Sequence, residues 1–224
     1  DHILGLFRLY WIPRMASPLT GTYVSYDFEA MVGILALEAQ RAGAVVIGED
    51  LGTVEPWVQD VLAQKAVLGT SIVWFEHDDD DYSPLPQEKY RQLALSSVNT
   101  HDLPPTLAYL RGDHISLRAH LGVLTRSVEE EQRDDIEWQA RVLKAVADRG
   151  LLPQRDYLVD PAERASRGAE EDISEALHRY IVGTPSALAC TSLVDMVGDV
   201  RAQNQPGTTH ELYPNWCVPL CDTN

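Results

Sequence analysis

Three acidic positions lie far apart in this chain yet share one setting. Glu49 follows the run Val45-Val46-Ile47-Gly48 and precedes Asp50-Leu51-Gly52. Asp102 closes the run Leu93-Ala94-Leu95-Ser96-Ser97-Val98-Asn99-Thr100-His101, and Asp1 would follow a strand outside the chain. A short apolar run bounded by turn signals reads as a strand. A continuous Val/Ile run, without polar alternation, suits a strand covered on both faces. The acids then sit where strands leave the core, and in a parallel α/β barrel that rim carries the chemistry. A carboxylate half in an apolar wall can act as acid as well as base. Two carboxylates on one rim serve glycoside chemistry: one attacks the anomeric carbon, and the other donates and later accepts the leaving-group proton. A third can hold sugar hydroxyls and stabilise positive charge in an oxocarbenium-like transition state. A plainer use of Glu49 and Asp50 is to cap the helix that follows at Thr53-Val54-Glu55-Pro56, because acidic side chains accept from free N–H groups there.

The elements that must position these acids follow from periodicity. Residues 28–41 carry Met31, Ile34, Leu35 and Ala39 at helical spacing, and Gly43 suits the cap that closes the helix. Residues 54–65 read as a helix with Pro56 in its first turn. Residues 71–76 form a second apolar run ending in an acid, residues 93–102 a third, and Pro104-Pro105 start a helix over 106–110. The order strand, polar tip, helix thus recurs three times, which predicts a parallel sheet with helical crossovers. Upstream, residues 3–12 are apolar and aromatic and Pro13 stops any helix, while residues 17–27 read as a loop. Tyr23 and Tyr26 in that loop either stack on sugar faces or fill the loop's own small core. Residues 113–183 break the rhythm as a helical insertion with two apolar stripes: Ile136, Ala140, Leu143 and Ala147, then Ile173, Leu177, Tyr180 and Ile181. Residues 187–193 are a fourth strand candidate, and the tail from Asn204 to Trp216 is rich in turn signals.

Composition narrows the partners. The chain has 224 residues, 34 acidic against 18 basic side chains, and a net charge of −16. Nucleic acid and anionic membrane are disfavoured, because both are bound through Lys and Arg. No run of 18 or more apolar residues suggests a membrane span. Cys190, Cys217 and Cys221 are an odd, sparse set rather than a disulfide framework, which points to a reducing, cytoplasmic setting. Cys217 and Cys221 with His210 lack the spacing of a zinc site. The acidic run 77–82 reads as a solvated loop, since it has neither the glycine nor the distal Glu of a calcium-binding EF-hand.

Several segments together resemble the C-terminal half of 4-alpha-glucanotransferases (amylomaltases or disproportionating enzymes), within the alpha-amylase clan. They are Asp1-His2-Ile3-Leu4-Gly5-Leu6-Phe7-Arg8, Trp11-Ile12-Pro13, Val46-Ile47-Gly48-Glu49-Asp50-Leu51-Gly52, Thr100-His101-Asp102, and Asn204-x-Pro206-Gly207-Thr208 with Pro214-Asn215-Trp216. The resemblance implies Asp1 as nucleophile, Glu49 as general acid/base and Asp102 as transition-state stabiliser. It implies His101 as a sugar hydrogen-bonding residue, with Asp50 and Asn204 as further sugar contacts. The implied reaction is retaining transfer of α-1,4-glucan segments between maltooligosaccharides, without a metal or organic cofactor. A complete barrel takes about 250 residues, usually more with insertions. Residues 1–224 are therefore expected to be a partial catalytic domain: the second half of a (β/α)8 TIM barrel, with the helical insertion at about 113–183. The missing N-terminal half of the same protein is the expected partner. The family's arginine two residues before the nucleophile falls outside the chain. The same carboxylates would serve a hydrolase of the clan, and a fragment alone could be an inactive glucan binder.

Overall fold

Helix α1 (Phe28–Ala42) forms where the apolar spacing places it, with the Asp27 side chain accepting from Ala30 N at 3.1 Å and Gly43 closing the helix at φ +63°. That left-handed backbone is readily adopted by glycine. Helix α2 (Pro56–Gln64) starts on its proline. Its N-cap is Glu55, without a side-chain capping bond. Glu49 and Asp50 are therefore not its caps. The computed structural model describes residues 1–221. These divide into two compact units: residues 1–71 with 91–95 and 186–188, and residues 72–90 with 96–185 and 189 onward.

The first unit is built around Ile3, Phe7, Val32, Val58, Leu62 and Val67. Phe7 stacks on Phe28 at 5.1 Å between ring centres, and Trp57 lies within 5.7 Å of both rings. Residues 17–27 are not simply a loop. A short turn at Pro18–Thr20 leads into β2 (Thr22–Ser25), which pairs antiparallel with β1 (Arg8–Trp11). The hairpin escaped the pattern because most of its side chains are exposed, so no apolar alternation marks it. Residues 45–47 also depart from expectation. They form one parallel bridge, Ile47 to Leu68, rather than a strand covered on both faces, and Val45 and Ile47 are exposed. Among the described residues, only the Leu68 side supplies ladder bonds: Leu68 N to Val46 O at 3.0 Å and Gly48 N to Leu68 O at 2.7 Å.

Three further strands form one sheet in the order β3 (Gly69–Ile72), β4 (Ala94–Ser97), β5 (Leu188–Cys190). Gly69 N donates to Leu93 O and Val73 N to Ser97 O. Equal advance in one direction along both chains makes β3 and β4 parallel. Both predicted runs are shortened, and β3 starts earlier than residues 71–76 suggest. The strand–tip–helix unit holds after Ile47, where α2 follows, and after β4, where α3 (Thr106–Arg111) follows. It fails after β3. There the chain makes an antiparallel bridge between His77 and Pro84 and a single turn at Gln87–Lys89.

The second unit contains α3, α4 (Asp113–His120), α5 (Val128–Asp148), α6 (Glu170–Val182) and α7 (Leu193–Met196). Both apolar stripes read from the sequence are buried. Ser127 and Glu130 form a reciprocal capping box at the start of α5. Beside the stripes lies a buried polar network. Asp135 accepts from Arg164 Nη2 at 2.7 Å and from the Gln139 amide, while Arg167 donates to Gln139 Oε1 at 2.8 Å and Leu110 O at 2.6 Å. The chain is mixed α/β.

Candidate active site

In the first unit the Gly48-Glu49-Asp50 turn is tied to the segment beside Asp1. Ile3 N donates to Glu49 O at 2.9 Å, and His2 N to Glu49 Oε2 at 2.9 Å. Leu51 N donates to Glu49 Oε1 at 2.7 Å, and His2 Nδ1 lies 3.4 Å from Oε2. Gly48 permits this approach: a β-carbon there would stand 2.8 Å from Ile3 Cγ1. Glu49 keeps 18% of its side chain exposed, and backbone N–H groups orient it. Asp1, one peptide away from His2, is exposed.

Asp50 does not stand beside Glu49 as a sugar contact. Its side chain is 1% exposed and faces inward. Arg91 Nη1 donates to its Oδ2 at 2.6 Å and Nη2 to its Oδ1 at 3.2 Å, while Thr70 N donates to Oδ1 at 3.0 Å. Arg91 also donates to Thr70 O. One acid of the pair is therefore partly exposed and the other meets the core. Gly69 leaves room for the pair; a β-carbon there would lie 2.6 Å from Arg91 Nη1.

In the second unit, Asp102 sits on the turn that follows β4. Its side chain is 47% exposed. Asn204 Nδ2 donates to its Oδ1 at 2.6 Å, His101 Nε2 lies 3.5 Å from the same oxygen, and Asp102 N donates to Thr100 Oγ1 at 3.1 Å. The His101 ring lies 5.0 Å from that of Trp216. The tail motifs now have a structural meaning, because they are two sides of one loop. Asn215 Oδ1 accepts from Gln205 N at 2.8 Å, its Nδ2 donates to Thr208 Oγ1 at 2.9 Å, and Trp216 N donates to Gln203 O at 2.8 Å. The loop is anchored by Asp199, which accepts from Arg201 Nη2 at 2.7 Å and Cys221 N at 3.0 Å. The Arg201 guanidinium holds the Asp199 carboxyl well below the usual range. Asn204 therefore touches Asp102 directly, a pairing that its position in the sequence did not reveal.

Sequence reading missed Arg91 and Asp195, and assigned Trp216 no role. Asp195 of α7 is 2% exposed in its side chain and accepts from Asn99 and Thr106, with His178 Nε2 at ion-pair distance, 3.4 Å. No local signal marks it, because its partners are distant in sequence. Among the described residues, no group of three His, Cys, Asp or Glu side chains could hold a metal ion. Nor is any helix among them long and apolar enough to cross a membrane.

The family model described as 4-alpha-glucanotransferase matches residues 1–223. The 4-alpha-glucanotransferase of Mycobacterium tuberculosis is 54% identical over 98% of this chain and 29% of its own length. The crystal structure of an amylomaltase from Corynebacterium glutamicum is 59% identical with a TM-score of 0.93, over 100% of this chain and 31% of that one. An amylomaltase from Streptococcus agalactiae, in complex with acarbose, matches 96% of this chain and 35% of that one, at a TM-score of 0.58. At 17% identity it shows a shared fold alone. The chain spans less than a third of the length of the curated relatives it matches in full, the Mycobacterium enzyme among them. With its model matched from end to end of the described residues, the chain belongs to the 4-alpha-glucanotransferase family.

Proposed function

We propose that the protein bearing this chain transfers α-1,4-glucan segments between maltooligosaccharides by a retaining double displacement. In this reading Asp1 attacks the anomeric carbon and forms a covalent glycosyl intermediate. Glu49 protonates the leaving oxygen and then takes the proton from the incoming 4-hydroxyl. Asp102 stabilises the oxocarbenium-like charge, and His101 binds a sugar hydroxyl. Asn204 acts through Asp102, and Asp50 through the turn that carries Glu49. The family's barrel supplies the proposed scaffold: residues 1–224 contribute its second half, residues 113–183 elaborate it, and the N-terminal half of the same protein completes it. The three free thiols, two of them exposed, support a reducing, cytoplasmic setting.

One observation carries the reading. Glu49 and Asp102 are partly exposed carboxylates whose oxygens are oriented by donors from the segments that the family resemblance singles out: His2 and Leu51 for Glu49, Asn204 for Asp102. Such preorganised, accessible acids are what glycosyl transfer requires. The test is incubation of the full-length protein with maltotriose. Glucose plus a ladder of longer maltooligosaccharides is expected, and Glu49→Gln should remove both. Glucose and maltose without longer products would replace transfer by hydrolysis.

A further inference from the structure

The tip that carries His101 and Asp102 is not held by burial, since both side chains reach solvent. Apart from the Asn204 bond to Asp102, what holds it are its two ends, and both are fastened to one residue. Asp195 Oδ2 accepts from Asn99 Nδ2 at 2.9 Å on one side of the tip. On the other side, Oδ1 accepts from Thr106 N at 2.7 Å and Oδ2 from Thr106 Oγ1 at 2.7 Å. Asn99 and Thr106 are themselves buried. The six residues between these anchors include Pro104 and Pro105, whose rings fix φ and limit the shapes the span can take.

Thr106 is the first residue of α3, so its N–H has no acceptor within the helix. Its N-cap is Pro105, which offers no side-chain acceptor. The missing cap arrives from α7, 89 residues away in sequence. His178 Nε2 of α6 lies 3.4 Å from Asp195 Oδ2 and backs the carboxylate from behind. Asp195 is in turn oriented by its own N–H, which donates to Ser192 Oγ at 3.4 Å.

From this double attachment we infer that Asp195 is a positioning residue for the proposed glucan transfer, and that it acts by fixing the span 99–106 so that Asp102 meets the developing charge. The inference rests on the role proposed for Asp102. Misplacing a reacting group by about 1 Å can cost about 100-fold in rate. Asp195 touches no substrate in this scheme, so its loss should be felt in kcat far more than in KM.

The experiment uses the full-length enzyme and compares Asp195→Asn, Asn99→Asp and the double variant, with maltotriose as substrate. Each single variant sets donor against donor, or acceptor against acceptor, and is expected to lower kcat about 100-fold with KM changed less than threefold. The double variant reverses the polarity of the 99–195 bond and is expected to recover kcat to within about tenfold of the parent. Thr106→Val removes the 2.7 Å hydroxyl bond alone and gives a milder reading should a single variant fail to fold; it is expected to lower kcat with KM retained. Undiminished kcat in the single variants and in Thr106→Val would overturn the inference. So would losses confined to KM, or a folded double variant that stays as slow as its parents. Asp102→Asn is run alongside. If it keeps full activity while Asp195→Asn is slow, the role of Asp102 fails; if it is inactive while Asp195→Asn is normal, the positioning role fails.

Discussion

Asn204 donates its side-chain amide to Asp102 Oδ1 across 2.6 Å, linking positions 102 residues apart. The bond ties the turn after β4 to the tail loop. A hydrogen bond to a charged group contributes about 1.5–3 kcal/mol, and each ~1.4 kcal/mol is a factor of ten in rate. Asn204→Ala in the full-length enzyme should therefore reduce kcat about 10- to 100-fold on maltotriose, with little change in KM. Steady-state kinetics of the purified variant checks this, and an equal loss in KM would mean that Asn204 contacts sugar instead.

Asp50 and Arg91 form the corresponding inner contact of the first unit, and Gly69 leaves room for it. Gly69 cannot retreat, because its N–H is bonded to Leu93 O at 2.9 Å. A β-carbon would stand 2.6 Å from Arg91 Nη1 and 2.7 Å from Asp50 Oδ2. Overpacking of this kind costs about 1–3 kcal/mol. Gly69→Ala should lower the urea midpoint accordingly, with the slope of the transition unchanged.

The Asp135 carboxylate faces two buried arginines. Burial, and then the neighbouring Arg164 charge, pushes Arg167 down to about 10. Removing Asp135 takes the ion-pair partner from Arg164 and leaves Arg167 with Glu170 alone as a compensating charge. Asp135→Ala should destabilise the protein by about 3–5 kcal/mol, read from urea unfolding. Replacing Arg164 by Leu in that background should recover part of the loss.

The His178–Asp195 pair predicts a pH dependence. Burial, the largest single influence, opposes charge on both, yet their mutual attraction together with Ser174 O beside His178 and the Thr106 donors on Asp195 outweighs it: His178 is raised above its ordinary value and Asp195 is lowered. Glu171 and Glu175 of α6 line the same pocket. The raised histidine stabilises the fold fully below its unfolded pKa of about 6.5, and that share is lost as pH rises through its higher folded value. The lowered aspartate stabilises above its unfolded pKa, and its share is lost as pH falls through its folded value. The stability advantage of the parent over His178→Gln should therefore be largest between about pH 4 and 6.5 and shrink above that window. Urea titrations across pH measure it; a gap that widens with alkalinity would contradict the pairing.

Much of the local structure was legible because it is written in neighbouring residues. The spacing of Met31, Ile34 and Leu35, the glycine at 43 and Pro56 at a helix start each act within a turn or two. The paired exposed strands at Arg8–Trp11 and Thr22–Ser25 were not legible, because strands without a buried face carry no period-two signal. Nor was the start of β3 at Gly69, which is set by pairing with Leu93, distant in sequence.

The sequence by itself determined the acid-tipped runs, the helices and the segments that carry the family resemblance, since residue type and spacing are local properties. Only the tertiary structure decided which of two adjacent acids meets solvent: Glu49 outward on His2 and Leu51, Asp50 inward on Arg91. Only it joined Asn204 to Asp102, and Asp195 to both ends of the tip. The reason is physical. A carboxylate's role is set by the donors and the burial around it, and here, apart from Leu51 two residues beyond Glu49, those arrive from 20 to 102 residues away, beyond the reach of any periodicity.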